Sequence, residues 1–331
     1  MRRREFITLV GGAAASWPFG TEAQQSDRVK RVAVLFARAQ HDPEGQVHAQ
    51  IFEQQMQKLG WSKDNNVRFE YRWAAGDAER ISTFAKEIVD TRPDVIVGHT
   101  TAAVAALLRE TRIIPIVFIA VTDPIGSGFV TSLARPGGNV TGFIDLEPSL
   151  GSKWVELLKQ MVPNLTRLGC LFNPATAAGG GSYYMNSVET AASSLGVRAA
   201  AAPAHNAEEI ERVLTSLAGD PAAGLVVMPD IFNGIHRSLI ISTANHLRVP
   251  AVYAFRFFVA GGGLASYGVD LTDLFRRGAE YADRLLRGAL AADLPVQLPT
   301  KFEFAINLKT AKDLGLEVSP SLLAHADEVI E

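Results

Sequence analysis

Short continuous apolar runs alternate with helix-patterned segments along most of this chain, and the series occurs twice. The first pass reads Val32–Phe36, a helix near 45–59, Val67–Trp73, a helix near 77–90, Asp94–Gly98, a helix near 102–111 and Ile114–Val121. After Asn139–Phe143 and a helix near 150–161 it resumes with Leu168–Phe172, Val197–Ala202, Leu225–Met228, Ala251–Ala254 and Leu264–Ser266, with helices near 182–195, 206–218 and 233–247. Runs without polar alternation suit strands covered by helices on both faces, which is the signature of parallel sheets built from βαβ units. Two such series in succession predict an α/β chain of two doubly wound parallel-sheet lobes. An amphipathic helix at Leu271–Arg287, a proline-flanked strand at Lys301–Leu308 and a terminal helical region remain. This last piece is expected to recross between the lobes and tie them into a hinge. The expected division is 24–145 plus 269–295 for one lobe and 146–268 plus 296–331 for the other.

Residues 1–23 stand apart from this pattern. Arg2, Arg3 and Arg4 precede a short apolar segment rich in Gly and Ala, and Thr21-Glu22-Ala23 places small residues where a processing enzyme would cut. This reads as an export signal, with Arg3-Arg4 of the twin-arginine type, so a periplasmic location is expected. No apolar run reaches the ~18 residues of a membrane-spanning helix. The remaining chain of about 308 residues exceeds what one compact core usually serves. A formal net charge of −3 argues against nucleic acid as a partner. With Cys170 as the single cysteine, no intramolecular disulfide can form, and its apolar surroundings point to a core position.

The usual local signatures of catalysis are missing: there is no GxSxG, no HExxH, no P-loop, and no GxGxxG after the first strand. The seven histidines are scattered singly, so no metal and no cofactor is expected. Polar groups at the carboxyl ends of the apolar runs are what the chain does supply, and open parallel sheets bind ligands there. In the first lobe these are Arg38, then Thr100 and Thr101 behind His99, then Thr122 and Asp123. Thr100 and Thr101 stand where a helix begins, so one serves as an N-cap or both frame an anion site on free helix amides. Asp123 before Pro124 fits either a turn or an acceptor for a ligand ammonium. The second lobe offers Asn173, Asp230 and the stretch Phe255-Arg256-Phe257-Phe258. Asp230 is equally a helix cap. Arg256 among phenylalanines suits a cleft, with aromatic faces and a two-pronged donor for a carboxylate. Tyr267 completes the candidates.

The C-terminal half carries a recognisable order of motifs: Gly261-Gly262-Gly263-Leu264-Ala265-Ser266-Tyr267-Gly268, Arg276-Arg277-Gly278-Ala279 with Tyr281, Leu294 to Glu303, Ile306 to Ala311, and Leu314-Gly315-Leu316. Together with Asp123-Pro124, Asn139 to Gly142 and Asn173-Pro174, this resembles the ABC-transporter substrate-binding family related to tryptophan and tyrosine receptors. The resemblance implies a type I periplasmic-binding-protein fold, a small ligand held between the lobes, and delivery to an inner-membrane ABC permease by a monomeric receptor. The ligand expected is an amino acid or an aromatic or branched carboxylate. The alternatives are a ligand-sensing module for a membrane signalling protein and an exported enzyme.

Overall fold

The computed structural model describes residues 28–331, so the export signal read at 1–23 lies outside the described residues. The first series forms β1 (Lys30–Phe36), α1 (Pro43–Lys58), β2 (Val67–Trp73), α2 (Ala78–Asp90), β3 (Val95–His99), α3 (Thr101–Glu110), β4 (Ile116–Val121) and β5 (Val140–Ile144). Its five strands lie in the order β2-β1-β3-β4-β5 and all pair in parallel. β3, β4 and the edge strand β5 are buried along their whole length, as their largely apolar composition requires. Asp42 starts α1 by accepting a hydrogen bond from the Glu44 amide, with Pro43 at the first helical position, and Asp77 does the same for α2 through the Arg80 amide.

The second series forms α4 (Leu150–Met161), β6 (Arg167–Phe172), α5 (Ser182–Ser194), β7 (Arg198–Pro203), α6 (Ala207–Leu217), β8 (Ala223–Val227), α7 (Ile231–Ile235), α8 (Arg237–His246), β9 (Ala251–Tyr253), α9 (Arg256–Ala260) and β10 (Ala265–Val269). The helix expected near 233–247 is two helices, broken at His236. The buried Asn233 amide donates to Leu171 and Met228 carbonyls at the ends of β6 and β8, which pins the first turn to the sheet while α8 runs on separately.

α10 (Leu271–Leu286) then leaves the second sheet and packs on α1, β3, β4 and β5. The chain returns through β11 (Phe302–Asn307), α11 (Leu308–Asp313), α12 (Pro320–His325) and β12 (Glu328–Ile330). The seven-stranded sheet has the order β12-β11-β10-β9-β8-β6-β7, parallel except where β11 runs antiparallel to β10. The exception follows from the recrossing. The chain leaves at the carboxyl end of β10 and re-enters at that same end, with Phe302 paired to Val269, so β11 can only run back. Before that return, Gln297 pairs with β5: its amide donates to Gly142 and its carbonyl accepts from Ile144. The chain therefore crosses between the two sheets three times, after β5, after β10 and before β11. Trp154 of α4 is fully buried beside them and donates to the Tyr267 carbonyl at 2.7 Å.

Candidate functional site

The carboxyl ends of the strands of both sheets face one another, and a cavity of about 60 Å³ lies between them. One water needs ~10–15 Å³ by the same measure, so the walls enclose more than a water site. From the first lobe come Arg38 after β1, His99 at the end of β3, Thr100 and Thr101 at the start of α3, Thr122 after β4 and Asp145 after β5. From the second come Thr176, Asp230, Ile231, Phe255 and Phe257.

Arg38 is 4% exposed, and its Nε has no partner. Its Nη1 lies 3.4 Å from Asp42, and its guanidinium sits 4.8 Å from the centre of the Phe257 ring. Burial pulls the Arg38 pKa down, while Asp42 opposes that shift. Beneath Arg38, His99 leans on Phe36 and Phe275, and His48 stacks on Phe275 at 4.6 Å. Burial, and next the charge of Arg38, push His99 well below its ordinary value and His48 down to about 3, so both rings are neutral at physiological pH.

Thr100 holds φ of 80°, which a β-branched residue adopts only under strain, and its buried hydroxyl has no partner. It does not cap α3 with its side chain. The Thr101 hydroxyl is engaged by the Thr122 amide at 3.2 Å. The amides of the first turn of α3 are therefore left without a side-chain cap, beside an unpaired hydroxyl and an unpaired arginine Nε. This is the chemistry of an anion-binding wall.

Two carboxylates complete the cavity. Asp145 accepts from the Thr122 hydroxyl at 2.9 Å and from the Leu146 amide at 2.7 Å, yet burial pushes its pKa up to about 6. Asp230 accepts from Thr176, from the Asn173 amide and from the Phe232 amide, and burial again raises its pKa. Among the described residues neither pairs with a basic side chain, although both line the cavity. Asp230 thus both caps α7 and faces the site.

Of the residues read from the sequence, Arg38, Thr100, Thr101, Thr122, Asp230 and Phe255 meet at this cavity, whereas four do not. Arg256 is corrected: the first turn of α9 directs it outward, where it pairs with Glu328 of β12, 46% exposed. Phe257, one residue on, faces the cavity instead. Asp123 folds back to accept from the Gly126 amide, which is the turn expected before proline. Asn173 supplies its amide to Asp230, but its side chain binds the Ala175 amide. Tyr267 stacks on Phe302 and lines a separate surface groove with Lys153 and His325.

Sequence reasoning missed Asp145, and within the stretch 255–258 it named Phe255 and Arg256 but not Phe257. Asp145 follows the apolar run 140–144, so the strand-end rule reaches it once that run is taken as a strand.

A model of the family described as ABC transporter substrate binding protein matches residues 36–330. A tyrosine-binding protein of Clostridioides difficile (strain R20291) is 25% identical over 296 residues, 89% of this chain and 84% of that protein. Among solved structures, an ABC domain from Streptococcus pneumonia in complex with L-Trp is 27% identical, with a TM-score of 0.84 over 92% of this chain and 100% of that one. A conserved domain protein from Vibrio cholerae is 29% identical, with a TM-score of 0.83 over 91% of this chain and 100% of the other. A match across nearly the whole described chain, with a cavity between two α/β lobes, places the protein in the ABC transporter substrate-binding family.

Proposed function

We propose that the protein is the extracytoplasmic receptor of an ABC importer and that it captures a free α-amino acid with an apolar, preferably aromatic, side chain. The observation that carries this reading is the opposition of charge in the cavity. The unpartnered Nε of Arg38 and the uncapped start of α3 offer donors to a carboxylate. Asp145 and Asp230 lack a cation and offer acceptors to an ammonium group. A zwitterion supplies both missing charges at once, which a simple carboxylic acid does not. Phe255, Phe257 and Ile231 provide apolar walls for the side chain. The tyrosine-binding relative and the L-Trp complex support the same class.

Titration calorimetry of the purified protein with L-tryptophan, L-tyrosine, L-phenylalanine and L-leucine, each beside its deaminated acid, tests it. An amino acid is expected to bind and its deaminated partner to bind at least about thirtyfold more weakly, the minimum for losing one partner of a buried charged pair. Equal or tighter binding of the acids would exclude the ammonium site. Delivery to an inner-membrane permease, and export through the Arg3-Arg4 signal, belong to the same proposal. Replacing both arginines by lysine is expected to leave the precursor in the cytoplasm, and normal export of that variant would rule out the twin-arginine route.

A further inference from the structure

Two carboxylates, Asp145 and Asp230, line the cavity, whereas a free amino acid brings one ammonium group. Behind the wall Asp42 is shared between Arg237 at 2.8 Å and Arg38 at 3.4 Å, which leaves one positive charge over for the site. His48 and His99 are neutral there and add none. A zwitterion carries no net charge, so its binding leaves one of the two carboxylates without an ionic partner. The surroundings of each carboxylate decide which one that is and what it takes instead.

The partners of an α-ammonium and an α-carboxylate must be neighbours, because one carbon bears both groups. Asp145 meets that condition. The Thr122 hydroxyl lies 2.9 and 3.0 Å from its two oxygens, and the Thr122 amide donates to the Thr101 hydroxyl at 3.2 Å, so one residue separates Asp145 from the uncapped start of α3. The unpartnered Thr100 hydroxyl stands in the same wall. Asp230 belongs to the second lobe, beside Ile231 and the rings of Phe255 and Phe257, which stack with their centres 5.5 Å apart. Its Oδ1 accepts from the Thr176 hydroxyl and the Phe232 amide, and its Oδ2 from the Asn173 amide. A carboxylate offers about four acceptor positions, so one remains, on Oδ2. An ammonium group has three donors to satisfy, whereas a ring N–H or O–H has one.

We infer that the two carboxylates divide the ligand: Asp145 receives the α-ammonium beside the carboxylate wall, and Asp230 reads a single N–H or O–H donor on an aromatic side chain. The inference rests on the proposed receptor function and narrows its ligand to amino acids with an indole or a hydroxyphenyl ring. Asp230 is then a specificity-determining residue, since phenylalanine and leucine fill the same apolar walls but bring no donor to the open position on Oδ2.

Calorimetry with pairs of amino acids that differ in the ring donor alone tests it. L-tyrosine is expected to bind at least about tenfold more tightly than L-phenylalanine, and L-tryptophan than benzothienyl-L-alanine, whose sulfur replaces the ring N–H at nearly the same shape. Asp230→Asn keeps an oxygen to cap α7, and should bring both ratios below about threefold while affinity for L-phenylalanine changes little. Asp145→Asn should weaken all four ligands together and leave the ratios as they are, because the ammonium is common to them. Equal affinities within each pair for the unsubstituted protein would overturn the inference without any variant. So would an Asp230→Asn protein that loses L-phenylalanine and L-tyrosine in equal measure, or tighter binding of L-lysine than of L-tyrosine. Amino acids that outbind their deaminated acids but show no preference for a ring donor would remove this inference and leave the proposed function standing. Deaminated acids that bind as tightly as the amino acids would overturn the proposed ligand class itself.

Discussion

Asp145 shows how one buried carboxyl can be unfavourable for the fold and useful to the site. Its pKa stands at about 6, against ~3.9 in an unfolded chain. Below about pH 4 both states hold the proton; between about 4 and 6 the unfolded chain ionises first, so stability falls as pH rises through that window. Above it the loss levels off at about 3 kcal/mol as an upper figure. Asp145→Asn keeps the one oxygen that accepts from both Leu146 and Thr122, and is expected to raise stability at pH 7 by about 1–3 kcal/mol while flattening the pH 4–6 slope. Urea melts across that range check it, and the same variant should bind the amino acid more weakly. Arg256 makes the opposite case. Its pair with Glu328 is partly exposed, so Arg256→Ala should cost under about 1 kcal/mol and leave ligand affinity unchanged. Calorimetry showing a large loss of affinity would return Arg256 to the site.

The elements that carry the family motifs do so for reasons of close approach. In β10 the backbone of Gly268 passes the carboxyl end of β9, and a Cβ there would lie 1.7 Å from the Ala254 carbonyl oxygen. In β5 a Cβ at Gly142, which holds φ of 153°, would lie 2.0 Å from the Phe118 carbonyl oxygen. Backbone cannot step aside as a side-chain tip can. Gly268→Ala is therefore expected to destabilise by at least about 2 kcal/mol in denaturant melts, despite adding only one methyl group. A variant as stable as the parent would show that the two strands can part without cost. The motif glycines thus mark where the chain crowds at the recrossing and the cleft, and their presence in the sequence was legible before that cause was visible.

At the scale of the whole molecule, the proposed receptor function predicts that ligand capture and lobe closure are one event. A solute that binds only the folded receptor adds RT ln(1 + [L]/Kd), about 2.7 kcal/mol at a hundredfold excess over Kd. Thermal melts with a binding amino acid should therefore rise with its concentration, and distances between spin labels on the two lobes, read by pulsed dipolar spectroscopy, should narrow toward the closed value. A ligand that raises the melting temperature without changing the interlobe distances would mean that closure is complete before capture.

The order of apolar runs was enough to read both α/β series and the parallel pairing within each, because burial on two faces is a local demand on residue type. The strand-end rule likewise reached Arg38, Thr100, Thr101, Thr122 and Asp230, since a strand's end is visible where its apolar run stops. Which way a side chain points after that end was not visible. Arg256 and Phe257 are neighbours in sequence, yet one turn of α9 sends the first to Glu328 and the second to the cavity. The antiparallel β11 and the pairing of Asp42 with Arg237, 195 residues apart, arise only when the lobes face each other. Local pattern determined the parts and their faces; the distances that bring charges together across a cleft are properties of the assembled chain, because they depend on where the recrossing segments place one lobe against the other.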